Sequence, residues 1–241
     1  MPKNIILTFD LEWAPDWMIM PILKKLKEKK ITSHFFLTHN SKLFSKKNRY
    51  IKIGLHPNFF KNSTQGSSEK NVIDNLLKIY GKVDILRTHG NYQSTNLHVL
   101  LTEKYKFKID NSILSPRSQV FNYDLIWKKR KIEILSYNWE DGYETNQIQK
   151  IFSLKNKFFN NNKIKLYILN FHPVHIFLNT RYSDIYKKMK KKFPNINKTH
   201  YSDLEKFINR KTVGTKNFFE SVIKSKDIKF FKLKDYKKIL K

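Results

Sequence analysis

Asn4-Ile5-Ile6-Leu7-Thr8-Phe9-Asp10-Leu11-Glu12 sets a short apolar run against two carboxylates one residue apart. An apolar block of this length, bounded by polar residues, suits a strand buried on both faces, as in a parallel sheet. Downstream, Pro21 to Lys30 repeats apolar side chains at Ile22, Leu23 and Leu26 with lysines on the other face, which is the period of an amphipathic helix. The same alternation recurs. Ser33 to Thr38 and Tyr50 to Leu55 are expected as strands, Glu69 to Tyr80 as a helix, Asp84 to Arg87 as a strand and Thr95 to Tyr105 as a helix. Ile132 to Ser136 and Lys165 to Phe171 are expected as strands around a helix near Gln147 to Phe158, followed by helix, strand and helix over Lys216 to Leu240. Asn58 to Ser68 and Ser112 to Asn122 carry loop composition, and Lys187 to Lys198 is a basic helix end entering a proline-containing turn. The alternation predicts an α/β fold with a parallel sheet, doubly wound or closed into a barrel, and periodicity does not choose between the two.

The 241 residues contain no internal repeat and no long linker, so one domain over residues 1–241 is expected. A hydrophobic share of 40%, with 19 Phe, 12 Tyr and 4 Trp, excludes a disordered chain. Lysine and arginine number 48 against 20 acidic residues, a formal charge of +28 that would favour nucleic acid, anionic lipid or acidic glycans. The lysines are spread along the whole chain beside many Asn, Ile, Phe and Tyr, the bias of an AT-rich coding sequence. No cluster stands out, so no specific nucleic-acid partner is expected; peripheral contact with an anionic membrane surface is compatible with the charge. With no Cys, disulfides and thiolate metal sites are excluded, and any transition metal must be held by His, Asp or Glu. The first apolar block ends in Thr8-Phe9-Asp10, unlike a secretory leader, and no segment approaches a membrane span, so a soluble cytoplasmic protein is expected.

The groups capable of chemistry stand just past expected strands: Asp10 and Glu12, His56, Arg87 and His89, then His172 and His175. Ligands of parallel α/β sheets and barrels bind at the carboxyl ends of the strands, so this placement carries information. Asp10 and Glu12 could divide the work of general base and metal ligand, or serve as loop carboxylates at the start of a helix. His56 and the pair His172 and His175 suit metal ligation or simple hydrogen-bonded structure. Trp13, Trp17, Trp139 and Tyr143 fall in expected loops at the same end, where aromatic faces stack on sugars or pack onto the core. Arg181, within Asn179-Thr180-Arg181-Tyr182, could meet an acidic sugar carrier or be a surface residue at a helix start.

Taken in order, these segments resemble the motifs of the NodB-homology polysaccharide deacetylases, a carbohydrate esterase family with a distorted (β/α) barrel, over most of the chain. Leu7-Thr8-Phe9-Asp10-Leu11-Glu12-Trp13 is similar to the first motif, Ile53-Gly54-Leu55-His56 to the second, Arg87-Thr88-His89-Gly90 to the third and Leu169 to Pro173 to the fifth, while Trp139-Glu140-Asp141 stands near the fourth. The resemblance implies Asp10 as base, His172 as general acid and Arg87 orienting Asp10. It implies Glu12 and His56 as metal ligands, and Trp13, Trp139, Asp141, Asn58 and His175 around the substrate. One departure stands out: the family's second motif has two histidines, whereas His56 is followed by Pro57, Asn58, Phe59 and Phe60. Asn58 or a histidine of another loop, His89 first, would then complete the site. A set of two ligands and waters would suit a labile divalent ion. The Gly-Leu-His-Pro-Asn form resembles a variant subfamily linked to surface-polysaccharide biosynthesis.

The resemblance implies a hydrolase of non-peptide carbon–nitrogen bonds that removes an N-acetyl group from a sugar of a bacterial surface glycan or its precursor. The implied cofactor is a divalent ion, Zn²⁺ first, with Co²⁺, Mn²⁺ or Ni²⁺ as alternatives. A deacetylase-like carbohydrate-binding protein without activity and an amidohydrolase acting on a non-sugar C–N bond are the competing expectations. A nucleic-acid binder, the third, would show affinity that falls steeply with salt.

Overall fold

The computed structural model describes residues 2–46 and 48–240. Its elements run in the order β1 (Lys3–Asp10), α1 (Asp16–Glu28), β2 (Ser33–Leu37), β3 (Ile51–Leu55), α2 (Glu69–Tyr80), β4 (Ile85–Leu86), α3 (Thr95–Val99), β5 (Ile109–Leu114), β6 (Asn122–Trp127), β7 (Arg130–Tyr137) and β8 (Trp139–Glu140). Then come α4 (Asp141–Asn146), β9 (Tyr167–Phe171), α5 (Pro173–Leu178), α6 (Ser183–Lys192), α7 (Tyr201–Leu204), α8 (Thr215–Lys224), β10 (Ile228–Phe230) and α9 (Tyr236–Leu240).

The strands form one sheet in the order β6-β7-β5-β4-β3-β2-β1-β9-β8, with β10 added alongside β1. Every pairing is parallel except the β6–β7 hairpin. β7 and β8 are one run of chain interrupted at Asn138. The first part pairs with β5 and the second with β9, so the sheet returns upon itself as a distorted barrel. Asn138 makes the joint: its N–H donates to the Ile168 carbonyl (3.3 Å), its Oδ1 accepts from the Ile168 N–H (2.9 Å), and its carbonyl accepts from the Arg117 N–H (2.9 Å).

Strand alternation divides the side chains into an inside and an outside. Ile5, Leu7 and Phe9 face outward and pack with α1, α5 and α8, while Leu55 and Leu86 pack with α2 and α3. Ile6, Phe36, Ile109, Leu135 and Ile168 fill the interior, closed below by Leu233 and Tyr236. Moving up the barrel, the inward positions turn polar: Ile6 gives way to Thr8 and Asp10, and Ile168 to Asn170 and then His172. At Gly54 a Cβ would stand 2.7 Å from the Phe36 ring, so only glycine fits beside that interior aromatic.

Several expectations are corrected. α1 begins at Asp16 rather than Pro21, and Pro21 lies inside the helix. Residues 147–156 are not helical, because the Glu144 carboxylate takes the Ile151 N–H (2.8 Å) and the Arg117 guanidinium, tying that stretch down as irregular chain. Ser112 to Asn122 is only partly loop. Its start belongs to β5, in which Asp110, Asn111 and Ser112 are all buried, so no apolar alternation marks the strand. β6 also falls outside the expected strands: it is a solvent-facing edge strand on which Tyr123, Ile126 and Trp127 are exposed. The Thr95 to Tyr105 helix changes to π geometry over Leu100–Tyr105 and ends at left-handed Lys106. Among the described residues, no helix is long and apolar enough to cross a membrane.

Candidate active site

The polar upper layer of the barrel opens into a cavity of about 240 Å³ whose wall includes Asp10, Glu12, His56, His89, Tyr137, Glu140, His172 and His175. These come from the carboxyl ends of β1, β3, β4, β7, β8 and β9, which converge because the strands are parallel and in register.

Asp10, 3% exposed, ends β1 on the inward face. Arg87 Nη1 donates to its Oδ1 (3.1 Å) and Asn170 Nδ2 to its Oδ2 (2.8 Å). Burial alone would raise the Asp10 pKa, but the charges of Arg87, His56 and His172 outweigh it and hold the carboxyl below its ordinary value. Arg87 is itself fully buried, clamped between the Phe36 and Tyr137 rings at 4.5 and 4.1 Å. Three further N–H groups go to Thr8 Oγ1 (3.0 Å), the Asn111 carbonyl (2.9 Å) and Asn111 Oδ1. Arg87→Met would strand a buried carboxylate. We expect a stability loss of about 3–5 kcal/mol at neutral pH. The depressed carboxyl pKa stabilises the folded state above the ordinary carboxylate range, so the gap between wild type and variant should narrow as pH falls from that range through the lowered pKa of Asp10; denaturant unfolding at neutral and at acid pH checks this.

Glu12 lies just past β1, where the chain turns through left-handed residues at Glu12 (φ 47°) and Trp13 (φ 57°). Conformations of this kind cost roughly 1–3 kcal/mol each in non-glycine residues and are held by their surroundings. Here the Trp13 N–H donates to Thr38 Oγ1 (3.1 Å) and the Ala14 N–H to the Leu11 carbonyl (2.8 Å). The turn aims Glu12 Oε1 at two imidazoles, His56 Nε2 at 2.9 Å and His89 Nδ1 at 2.7 Å. Burial would raise the Glu12 pKa, yet hydrogen bonds from the two rings bring it well below the ordinary value.

Protons are tightly constrained at His56. Its Nδ1 lies 2.7 Å from the Arg87 carbonyl oxygen, which can only accept, so Nδ1 carries the ring proton. Nε2 of the neutral ring then presents a lone pair to a carboxylate lone pair, and a cation or a second proton must sit between them. Burial would lower the His56 pKa, but Asp10 and Glu12 raise it above the ordinary value, which is the protonated answer to that demand. A divalent metal is the other answer, and two imidazoles with one carboxylate are donors suited to Zn²⁺, Co²⁺, Mn²⁺ or Ni²⁺. Glu12, His56 and His89 place their donor atoms within 4.8 Å of one another. Two further groups among the described residues meet that spacing, Asp141 with His172 and His175, and Asp10 with Glu140 and His172.

His172 follows β9 and precedes Pro173, the first residue of α5. Asp141 grips it twice, Oδ1 on Nδ1 at 2.5 Å and Oδ2 on the backbone N–H at 2.9 Å. Burial would lower its pKa, but the charge and hydrogen bond of Asp141 raise it to about 10, so the ring is an imidazolium at neutral pH. Its Nε2 points back over the cavity, 3.9 Å from Asp10 Oδ2. His175 is pushed by burial to about 4 and stays neutral, with Nδ1 on Thr180 Oγ1 (3.1 Å).

Among the residues expected at the substrate, Asp141 is fully buried behind His172 and positions that ring instead. Trp139 is fully buried too, wedged between Phe171 and Phe218 with its Nε1–H on the Ile151 carbonyl (3.0 Å), so it offers no face to a sugar. Asn58 caps its own turn by accepting the Phe60 N–H (3.0 Å), leaving His89 as the group that joins Glu12 and His56. Trp13 stands edge-on to His89 (5.6 Å). Trp17 donates to the Thr199 carbonyl (2.8 Å) and packs on Phe177 and Tyr201, a structural role. Arg181 binds the Val213 carbonyl (2.9 Å). The sequence motifs assign no role to Glu140, Thr8 and Asn170, which lie inside them, and do not reach Tyr137, whose hydroxyl donates to Glu140 Oε2 at 2.7 Å, or Asn111. A signal exists for Thr8 and Asn170: each is a polar residue in an apolar strand, two positions before Asp10 or His172 and hence on the same face.

The profile of the WbmS-like polysaccharide deacetylases matches residues 7–190 of this chain. Among solved structures, the crystal structure of WbmS from Bordetella bronchiseptica, assigned as a polysaccharide deacetylase involved in O-antigen biosynthesis, superposes with a TM-score of 0.75. The two share 22% identity over 91% of this chain and 89% of that one, a likeness of fold. No curated protein matches the sequence significantly.

Proposed function

From the membership of this chain in the WbmS-like family of polysaccharide deacetylases, we propose that it is a metal-dependent hydrolase that removes an N-acetyl group from a sugar of a bacterial surface polysaccharide or its precursor. The observation that carries the proposal is the grouping, in one cavity, of a carboxylate held ionised, an imidazole held protonated and a three-donor set for a divalent ion. The O-antigen assignment of the Bordetella protein makes a surface-glycan precursor the first substrate class to try.

Glu12, His56 and His89 would hold the ion. When bound there, it polarises the acetyl carbonyl and lowers the pKa of water. Asp10, kept anionic by Arg87 and oriented by Asn170, takes a proton from the attacking water. His172, kept protonated by Asp141, gives its proton to the departing nitrogen as the C–N bond breaks. Acetic acid and a free amine leave, the acid losing its proton to solvent, and a proton passed from Asp10 back to His172 resets both groups.

The test strips the protein with chelator, restores Zn²⁺, Co²⁺, Mn²⁺ or Ni²⁺ singly, and measures acetate released from N-acetylated sugar nucleotides and glycans. Release that depends on added metal is expected; no release with any metal, or the same rate without one, overturns the proposal. Asp141→Asn adds a pH signature. An acid of pKa about 10 places the alkaline fall in rate near that pH, and removing the charge that raises it moves the fall toward the ordinary imidazole value. The profile of kcat/KM against pH reads the shift.

A further inference from the structure

Toward the other end of the barrel, reaching from its base to the outer side of β2 and β3, lies a larger cleft of about 990 Å³. Its wall is made by the starts of β2 and β3, the chain just before β4, the loop after β2 and residues 232–234, with Leu23 and Lys27 of α1 and Tyr80 at the end of α2 on its outer side. Lysines that look dispersed in the sequence meet here: besides Lys27 of α1, six more, Lys42, Lys46, Lys52, Lys82, Lys232 and Lys234, come from four further stretches of chain. Among the described residues, none of the six has a carboxylate within 4.0 Å. Asp84, the carboxylate in the wall, is taken by Lys108 at 2.7 Å. Burial lowers the Lys52 pKa, and the like charges of Lys232 and Lys234 lower it further, as expected where cations face one another without a counter-charge.

Behind the lysines stands one buried imidazole. His34, 3% exposed, forms part of the cleft wall. Its Nε2 accepts from the Leu233 N–H at 3.0 Å, so the ring proton resides on Nδ1. That Nδ1–H is a buried donor without an acceptor. Leaving such a donor unpaired is unfavourable. Burial together with the surrounding cations pushes the ring to about 3, so it is neutral and needs an acceptor, not a metal.

We infer that this cleft binds an anion bearing phosphate or diphosphate groups, with the lysines supplying the charge. The lysine ammonium is a point-charge phosphate binder, and several around one cleft favour a multiply charged ligand over a single carboxylate. The site lies at the end of the barrel away from Asp10 and His172, so its ligand is separate from the sugar at the catalytic mouth.

Calorimetric titration of the whole protein with inorganic pyrophosphate at 0.15 M salt tests this. One pyrophosphate per chain is expected, with affinity falling at least about tenfold when two charge contacts are removed by Lys52→Gln with Lys232→Gln. A control pair, Lys187→Gln with Lys188→Gln on the exposed face of α6, makes the same change in net charge and should leave binding intact. No saturable binding, or equal losses in the two double variants, would overturn the inference. Sedimentation with phosphatidylglycerol vesicles then separates the sources: pelleting lost in the cleft variant points to a lipid headgroup, and no pelleting points to a soluble phosphate compound.

Discussion

Asp10→Asn and His172→Ala each slow acetate release by roughly 10²–10⁴-fold, the range that proton transfer by a positioned group contributes. The two losses should differ in character. Asn at position 10 keeps the size of the side chain but cannot accept the water proton, so kcat falls and KM changes little. Ala at position 172 removes the proton donor and leaves Asp141 buried without its imidazolium partner. It should therefore also cost stability, by an amount typical of a broken buried pair, about 3–5 kcal/mol. Gln at position 172 separates the effects, since it can still donate to Asp141 but cannot protonate an amine. Wild-type rates in both Asp10→Asn and His172→Gln would remove the proposed division of labour.

Glu12→Gln is expected to abolish metal-dependent activity through loss of the ion. Gln keeps an oxygen but adds an N–H₂ in a site where two imidazoles converge on one carboxylate oxygen, and the anionic charge is lost. Outer hydrogen-bond partners of metal ligands are worth about 10–100-fold in affinity, so loss of a ligating carboxylate should exceed that. Competition against a chromogenic chelator measures it. His89→Ala should weaken affinity in the same assay while Asn58→Ala leaves it unchanged, because Asn58 caps its own turn.

Much of the site is legible in the sequence because an apolar strand that ends in a carboxylate or imidazole announces both its burial and its mouth. Asp10, His56 and His172 all stand at the ends of such strands. The bend that carries one stretch of chain from one side of the sheet to the other is not legible from periodicity, since it depends on Asn138 interrupting one strand so that its two parts pair with β5 and β9. β5 carries no strand signal because Asp110, Asn111 and Ser112 are polar and buried, their cost met by Arg87, His98 and neighbouring backbone rather than by an apolar pattern. Trp139 misleads for the reverse reason: a tryptophan beside acidic residues resembles a sugar platform, yet outward alternation on β8 sends it into the core between the barrel and α8. Asp141 stands one layer behind the place the motif suggests, holding His172 from below. The basic cleft leaves no trace in the sequence, because its lysines become neighbours only when the barrel brings the starts of β2, β3 and β4 together with the chain after β10.

The claim on which the catalytic account rests is that Glu12, His56 and His89 share one divalent ion beside Asp10 and His172. Anomalous diffraction at the metal edge from crystals soaked with Zn²⁺ or Co²⁺ addresses it directly. The account predicts one strong peak within about 2.0–2.2 Å of Glu12 Oε1, His56 Nε2 and His89 Nδ1. A peak held by Asp141, His172 and His175 in its place, or none in the cavity at all, would contradict it.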